Sequence, residues 1–261
     1  MSGKVITIVG SGASSVSFID ALLENLCVEN NILSDLTIFL LDKRPQFGRG
    51  LAYADDTSTS LLNTRASFIS PFSDKPGHFY NWLLQNKSIW EDDFPDLILS
   101  PDAFLPRSLF GNYLTHMLQS LSKKAVEIGC RVITVNDEAY RITFAHDGKI
   151  VISTRGNLSF PSDHVVLSCG NGGSLEYKNL EDTPGFFSSP YPIKHTTRVI
   201  PKEARVAIIG SRLSAIDMAI GLKASGHTGP IVFHSRTGSL PAVRGIQGRY
   251  KPEYLTPQRI K

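Results

Sequence analysis

The residues most able to do chemistry in this sequence form a short turn, Val9-Gly10-Ser11-Gly12-Ala13-Ser14-Ser15, between an apolar run and a helical period. In such a turn Gly10 allows the tight bend and Gly12 lets a pyrophosphate approach the backbone. Ser15 takes the third, helix-packing position that usually belongs to glycine. Amides at the start of the helix then face the phosphates, where the helix dipole favours negative charge. Asp42, at the end of the next apolar run, is expected to accept from the hydroxyls of an adenosine ribose. Its spacing from the turn exceeds the usual ~20 residues, and the polar stretch Glu29-Asn30-Asn31 to Asp35 accounts for the excess. The chemistry implied is the holding of a dinucleotide. Plainer readings stand beside it: a strand-turn-helix that binds nothing, and Asp42 as a strand-end turn residue.

Other residues could serve the same purpose. The glycines of Gly48-Arg49-Gly50 would let the chain fold over a pyrophosphate, with Arg49 a phosphate partner or a surface charge. Arg107, beside Pro106 at a helix start, is an anion or substrate contact or a structural residue. In Cys169-Gly170-Asn171-Gly172-Gly173 a run of small residues lets the backbone pass close to something bulky. A second turn, Gly210-Ser211-Arg212-Leu213-Ser214-Ala215, repeats the first. There Arg212 stands where the second glycine belongs, so its side chain either binds a pyrophosphate from outside or blocks its approach.

These residues need elements to position them. Val5 to Val9 is a continuous apolar, β-branched run, as in a strand covered on both faces. Val16, Ile19, Leu22, Leu23 and Leu26 follow at helical spacing, and Leu36 to Leu41 is a second buried strand, which together predict β-α-β with a right-handed crossover. From Lys43 to about Leu105 the pattern loosens, with a short helix around Phe79 to Leu84 and a solvated acidic loop at Glu91-Asp92-Asp93. Arg107 to Ile128 reads as a helix stopped by Gly129, and Arg131 to Val135 as a strand. Tyr140 to Ala145 and Lys149 to Thr154 alternate around His146-Asp147-Gly148, which predicts a hairpin within a small antiparallel meander. His164 to Ser168 returns as a buried strand. After several prolines, Arg205 to Ile209, Ile216 to Ala224 and Ile231 to His234 restart the opening pattern, an internal duplication of the β-α-β unit.

Composition bounds the rest. The chain of 261 residues is 41% hydrophobic with a net charge of +3, long enough for one large or two small domains and too weakly basic for a nucleic-acid surface. With no cleavable apolar leader and no run of membrane-spanning length, a cytoplasmic protein without membrane association is expected. Cys27, Cys130 and Cys169 are isolated and odd in number, which supports neither a metal site nor a disulfide framework. No Ser-His-Asp, Cys-His or paired-carboxylate arrangement can be read, so no catalytic residue is named.

The assembled motifs resemble the two-dinucleotide-binding-domain flavoproteins, the family of FAD/NAD(P)-binding proteins akin to flavin N-hydroxylating monooxygenases. The matching segments are the first turn, Arg44 through Gly48-Arg49-Gly50-Leu51-Ala52-Tyr53, and Leu61-Leu62-Asn63. They continue with Pro106-Arg107 to Gly111-Asn112-Tyr113-Leu114, Val165 to Asn171, and the second turn through Ser235-Arg236. The resemblance implies FAD on the first turn and NADPH on the second. Ser235-Arg236 agrees with a phosphate on the ribose, since NAD-preferring sites carry an acid there. Lys43, Arg44, Asn63, Val135, Gly170 and Asn171 complete the expected cofactor-binding set.

The expected fold is α/β: a Rossmann-like FAD-binding domain over 1–200, with a parallel sheet, a β-meander and an insertion at about 43–105. A second, incomplete Rossmann-like NAD(P)-binding unit with a basic tail takes 201–261. The expected function is an FAD-dependent oxidoreductase of monooxygenase type, reduced by NAD(P)H and acting on a small organic substrate. Family members continue past this point, so a homo-oligomer or a companion chain is expected to complete the fold. The alternative is a truncated flavin-binding subunit or regulatory nucleotide-binding module that works only in a complex. A plain NAD(P)-dependent dehydrogenase would explain the first turn but not the duplication, the meander or the insertion.

Overall fold

A computed structural model describes residues 3–28, 35–170, 176–243 and 245. Its centre is a parallel sheet of β1 (Val5–Val9), β2 (Thr37–Asp42), β3 (Arg131–Asn136) and β7 (His164–Leu167), in the order β3-β2-β1-β7. Register is set along the whole of β1, with Ile8 opposite Leu40 on one side and Val166 on the other. Ile6, Thr7 and Ile8 are all buried, as the continuous apolar run requires of a strand covered on both faces.

One face carries helices α1 (Ala13–Val28) and α3 (Arg107–Glu127). Val16, Ile19 and Leu23 of α1 lie in one buried cluster with Leu109, Tyr113, Met117, Leu121 and Ala125 of α3, the stripe expected from the helical period. Gly129, at φ +77°, then turns the chain out of α3 in a conformation that a side chain would disfavour.

The opposite face carries the meander of β4 (Ala139–Phe144), β5 (Ile150–Thr154) and β6 (Ser159–Ser162), paired antiparallel in that order. Ile152 and Phe160 pack there on Leu41, and the Phe160 ring lies 5.0 Å from that of Phe39. The expected hairpin forms at Gly148, and β6 adds a strand that the sequence pattern did not announce. Its Pro161 is tolerated because β6 is an edge, paired with β5 alone.

The stretch from Lys43 to Leu105 is more ordered than its loose pattern predicted. Helix α2 (His78–Gln85) and a single 3-10 turn (Lys87–Ile89) fold back on α3. Leu62, Ala66, Phe72, Phe79, Trp82 and Trp90 join the main apolar cluster. Polar atoms among these rings are matched: the Trp82 indole N–H donates to His116 Nδ1 at 2.7 Å, and His78 Nδ1 lies 2.8 Å from the Tyr113 hydroxyl. The non-periodic spacing hid this, because these residues meet across loops rather than along one element.

The second unit holds β8 (Val206–Ile209), α5 (Leu213–Ala224) and β9 (Ile231–His234), with β8 and β9 parallel. A further helix, α4 (Ile193–Val199), was not anticipated. Its Ile193 packs with Met218 and Leu222 of α5, against Val206, Ile208 and Ile231. Ala207, Ile209, Val232 and His234 on the other face of this strand pair are exposed. No helix among the described residues is long and apolar enough to cross a membrane.

Candidate functional site

The Gly10–Ser15 turn lies at the carboxyl end of β1, beside the switch in strand order where the chain passes from the β3-β2-β1 run to β7. Open parallel sheets place their ligand crevice at such a point. Gly10 has φ +98°, and a Cβ there would collide with the Ser168 carbonyl at the end of β7, so glycine is required twice over. Its amide donates to the Leu41 carbonyl at 2.7 Å. Ser15 is fully buried in place of the usual glycine because its hydroxyl turns back to donate to the Gly10 carbonyl at 2.6 Å.

Helix α1 starts by donating the Ser15 and Val16 amides to the Gly12 carbonyl. The amides of Gly12, Ala13 and Ser14 have no acceptor among the described residues. They form a fan of N–H groups at a helix start, suited to the oxygens of a pyrophosphate. The strap at Gly48-Arg49-Gly50 lies against this turn: the Gly48 amide donates to the Ser11 carbonyl at 2.8 Å. A Cβ on Gly50, which has φ +60°, would sit 3.0 Å from the Gly12 Cα.

Asp42 is engaged mainly with the turn itself. It is only 5% exposed, and its Oδ2 accepts from the Ser11 amide at 3.0 Å and the Ser11 hydroxyl at 2.8 Å. Its Oδ1 accepts from the Arg44 amide at 3.0 Å and lies 3.4 Å from Arg44 Nε. A carboxylate has room for about four such bonds and three are taken, so Asp42 braces the turn from beneath and keeps little capacity for a ribose. The Arg44 Nε is buried without a hydrogen bond. Lys43 is exposed and pairs with Glu138 at 3.4 Å. Val135 ends up opposite Leu41, so the carboxyl ends of β1, β2 and β3 meet around the turn. Gly170, at φ +70°, follows β7 beside them. Asn171 lies outside the described residues, and Asn63 is exposed on the insertion.

Two expected anion contacts are engaged elsewhere. The Arg49 side chain runs against Gly111 of α3 and lines a cleft of about 280 Å³ with Asp93, Asn112, Thr115 and His116. Burial lowers its pKa, which Asp55 and Asp93 partly offset. Arg107 is spent on holding segments together. Its Nε donates to the Leu61 carbonyl at 2.9 Å and one terminal nitrogen to the Tyr191 hydroxyl at 3.0 Å. The other lies 2.9 Å from Asp217 of α5, to which Tyr191 also donates at 2.7 Å. Asp56 adds a second tie by accepting from the Ile193 and Lys194 amides at the start of α4. Neither Asp217 nor Tyr191 carries a local pattern that marks it; the join exists only after folding.

The second turn repeats the first in register. Gly210 has φ +112° and its amide donates to the His234 carbonyl at 2.7 Å, as Gly10 does to Leu41. Ser235 therefore occupies the position of Asp42, and Arg236 that of Lys43. With no acid to hold it, the buried Ser211 donates its hydroxyl to the Ser239 carbonyl at 2.8 Å. Arg212 is exposed and caps α5, and the amides of Arg212, Leu213 and Ser214 have no acceptor among the described residues. Replacing the second glycine has left the fan of donors intact.

A profile of the family described as FAD-NAD(P)-binding matches residues 7–172. Among solved structures, ornithine hydroxylase from Pseudomonas aeruginosa is 17% identical with a TM-score of 0.58, over 89% of this chain and 54% of that one. A flavin monooxygenase variant from Stenotrophomonas maltophilia is 17% identical with a TM-score of 0.54, over 89% and 57%. A cyclohexanone monooxygenase variant from Rhodococcus sp. Phi1, bound to NADP+, is 16% identical with a TM-score of 0.51, over 89% and 39%. At these identities the likeness is one of fold, and the chain spans less than two thirds of each of these proteins. No curated protein matches the chain.

Proposed function

Since the chain belongs to the FAD-NAD(P)-binding family, we propose that it is the cofactor-binding part of a flavin-dependent oxidoreductase of monooxygenase type. FAD lies on the Gly10 turn, NADPH on the Gly210 turn, and the substrate is a small organic molecule. The observation that carries this reading is the fan of amides at Gly12, Ala13 and Ser14, which have no acceptor among the described residues, beside the strand-order switch. The fit is chemical as well as geometric, because the turn offers donors without a carboxylate facing them: Asp42 is occupied with Ser11 and Arg44.

When bound, the flavin supplies the redox chemistry and the nicotinamide its hydride. The chain's own residues bind and orient. Gly12, Ala13 and Ser14 amides donate to the pyrophosphate, Asp42 holds Ser11 so that the turn keeps its shape, and the Gly48–Gly50 strap excludes water from one side. On the second turn the amides of Arg212, Leu213 and Ser214 take the other pyrophosphate, with the Arg212 guanidinium binding from outside. Ser235 and Arg236 favour a phosphorylated ribose because they offer a hydroxyl and a cation, and no carboxylate, just past the end of β9.

The test is a visible spectrum of the purified protein before and after incubation with FAD, followed by anaerobic NADPH. A bound flavin that NADPH bleaches faster than NADH is expected. A protein that stays colourless after incubation with FAD refutes the first half; a yellow protein that neither nicotinamide bleaches refutes the second.

A further inference from the structure

Helix α5, which begins at the second glycine turn, carries a single acidic residue, Asp217, and none in its first turn. Asp217 follows Ser214, whose amide is among the donors of that turn, by a rise of about 4.5 Å along the helix axis. Helical side chains tilt toward the amino end, so its carboxylate leans back toward those donors. Tyr191 shows the same direction: its hydroxyl donates to Asp217 Oδ2 at 2.7 Å and lies beside the Ser214 hydroxyl. In the register that pairs Gly210 with Gly10, helix α1 has Ser17 at this place. A carboxylate here suits the helix dipole, but it opposes any anion drawn to the same donors.

The charge that offsets Asp217 comes from the other unit. Arg107, at the start of α3, places one terminal nitrogen 2.9 Å from Asp217 Oδ2 and the other 3.0 Å from the Tyr191 hydroxyl. It is anchored on its own side: its amide donates to the Ser60 carbonyl at 2.8 Å and its Nε to the Leu61 carbonyl at 2.9 Å. Asp56 secures the facing segment by accepting from the Ile193 and Lys194 amides just past Tyr191. The Arg107 and Asp217 side chains are largely buried, so salt screens either charge only weakly once its partner is gone. A neutral donor would satisfy the hydrogen bonds of the carboxylate, but only a cation cancels its charge.

We infer that Arg107 sets the anion affinity of the second turn from across the join: a guanidinium of the first unit cancels the Asp217 charge, and the Gly210 turn holds a pyrophosphate tightly only while that charge is cancelled. Arg107 acts through Asp217 and is a positioning residue, not a cofactor contact. The second turn therefore binds best when the two units are joined. This inference rests on the placing of NADPH at the Gly210 turn; FAD at the Gly10 turn does not enter it.

The experiment is calorimetric titration of the full chain with NADP+ at about pH 8, where carboxylates are ionised, in low salt. Arg107→Met should weaken binding at least about fivefold, and Arg107→Lys should hold it within about twofold. Adding Asp217→Asn to Arg107→Met should restore the affinity to within about twofold of the parent chain. Asp217→Asn alone leaves the guanidinium uncompensated and should tighten binding several-fold, which keeps the test decisive if Arg107→Met does not fold. Unchanged affinity in Arg107→Met, or in Asp217→Asn, overturns the inference while leaving NADPH on the second turn. A loss in Arg107→Met that Asp217→Asn does not restore also overturns it, because the link would then act through shape and not charge. A parent chain that binds no NADP+ overturns the reading of the second turn, and the inference with it.

Discussion

Replacing Arg107 by methionine keeps the aliphatic stem and removes everything the guanidinium does: the bond to Leu61, the bond to Tyr191 and the ion pair with Asp217. It also removes a cation that sits 5.3 Å from the centre of the Tyr191 ring. The two charged side chains are 18% and 15% exposed, between the surface and the interior. Exposed pairs contribute about 0–1 kcal/mol, and breaking a fully buried one costs about 3–5 kcal/mol, so a coupling near 2 kcal/mol is expected here. For a chain of this size that corresponds to a fall in Tm of about 4–8 °C. The assay is a double-mutant cycle of Arg107→Met and Asp217→Asn in thermal and urea unfolding; the side-chain carbonyl introduced by Asp217→Asn would still accept from Tyr191. A coupling under about 0.5 kcal/mol would mean the sites behave independently and would refute the reasoning. So would an Arg107→Met protein of unchanged stability that no longer retains flavin, because Arg107 would then be the anion contact its sequence position allowed.

The two glycines of the first turn should separate stability from binding. Gly10→Ala, with φ +98° and the Ser168 carbonyl in the way, should lose at least about 2 kcal/mol in urea unfolding. Gly12→Ala meets Gly50 at an ordinary 3.5 Å, so its stability should hold within about 0.5 kcal/mol while flavin affinity, measured by fluorescence, falls about tenfold; the reverse pattern contradicts the assignment. Arg212→Gly should weaken NADPH binding several-fold, and tighter binding would show instead that the side chain blocks the turn. Asp163 is held well below its ordinary value of 3.8 by Lys149, the Val5 amide and Lys4. A depressed carboxylate stabilises the fold above its unfolded pKa, and that contribution is lost as pH falls through the folded value. Asp163→Asn should therefore lower Tm at neutral pH and flatten its decline below about pH 4; an unchanged acid limb contradicts this.

Local chemistry was enough to read much of this protein from its sequence. Val5 to Val9, the stripe from Val16 to Leu26 and the glycines at 10 and 210 report their own conformations, since period and φ are properties of neighbouring residues. The duplication followed from the recurrence of that local pattern, and the hairpin at Gly148 from a turn dipeptide. Helix α4 and strand β6 escaped because each is short and carried by packing rather than by period. The aromatic residues of the insertion escaped for the same reason.

The roles of the charged residues were decided by tertiary structure alone. Asp42 and Arg107 were sound candidates by type and position, yet Asp42 turns inward to Ser11 and Arg107 reaches Tyr191 and Asp217. Arg49 lies along α3, against Gly111. A side chain's chemistry is set by which partners remain for it once distant segments meet, and no spacing along the chain encodes that competition. The glycine turn needs only its own backbone, which is why it could be read from the sequence and still holds in the fold.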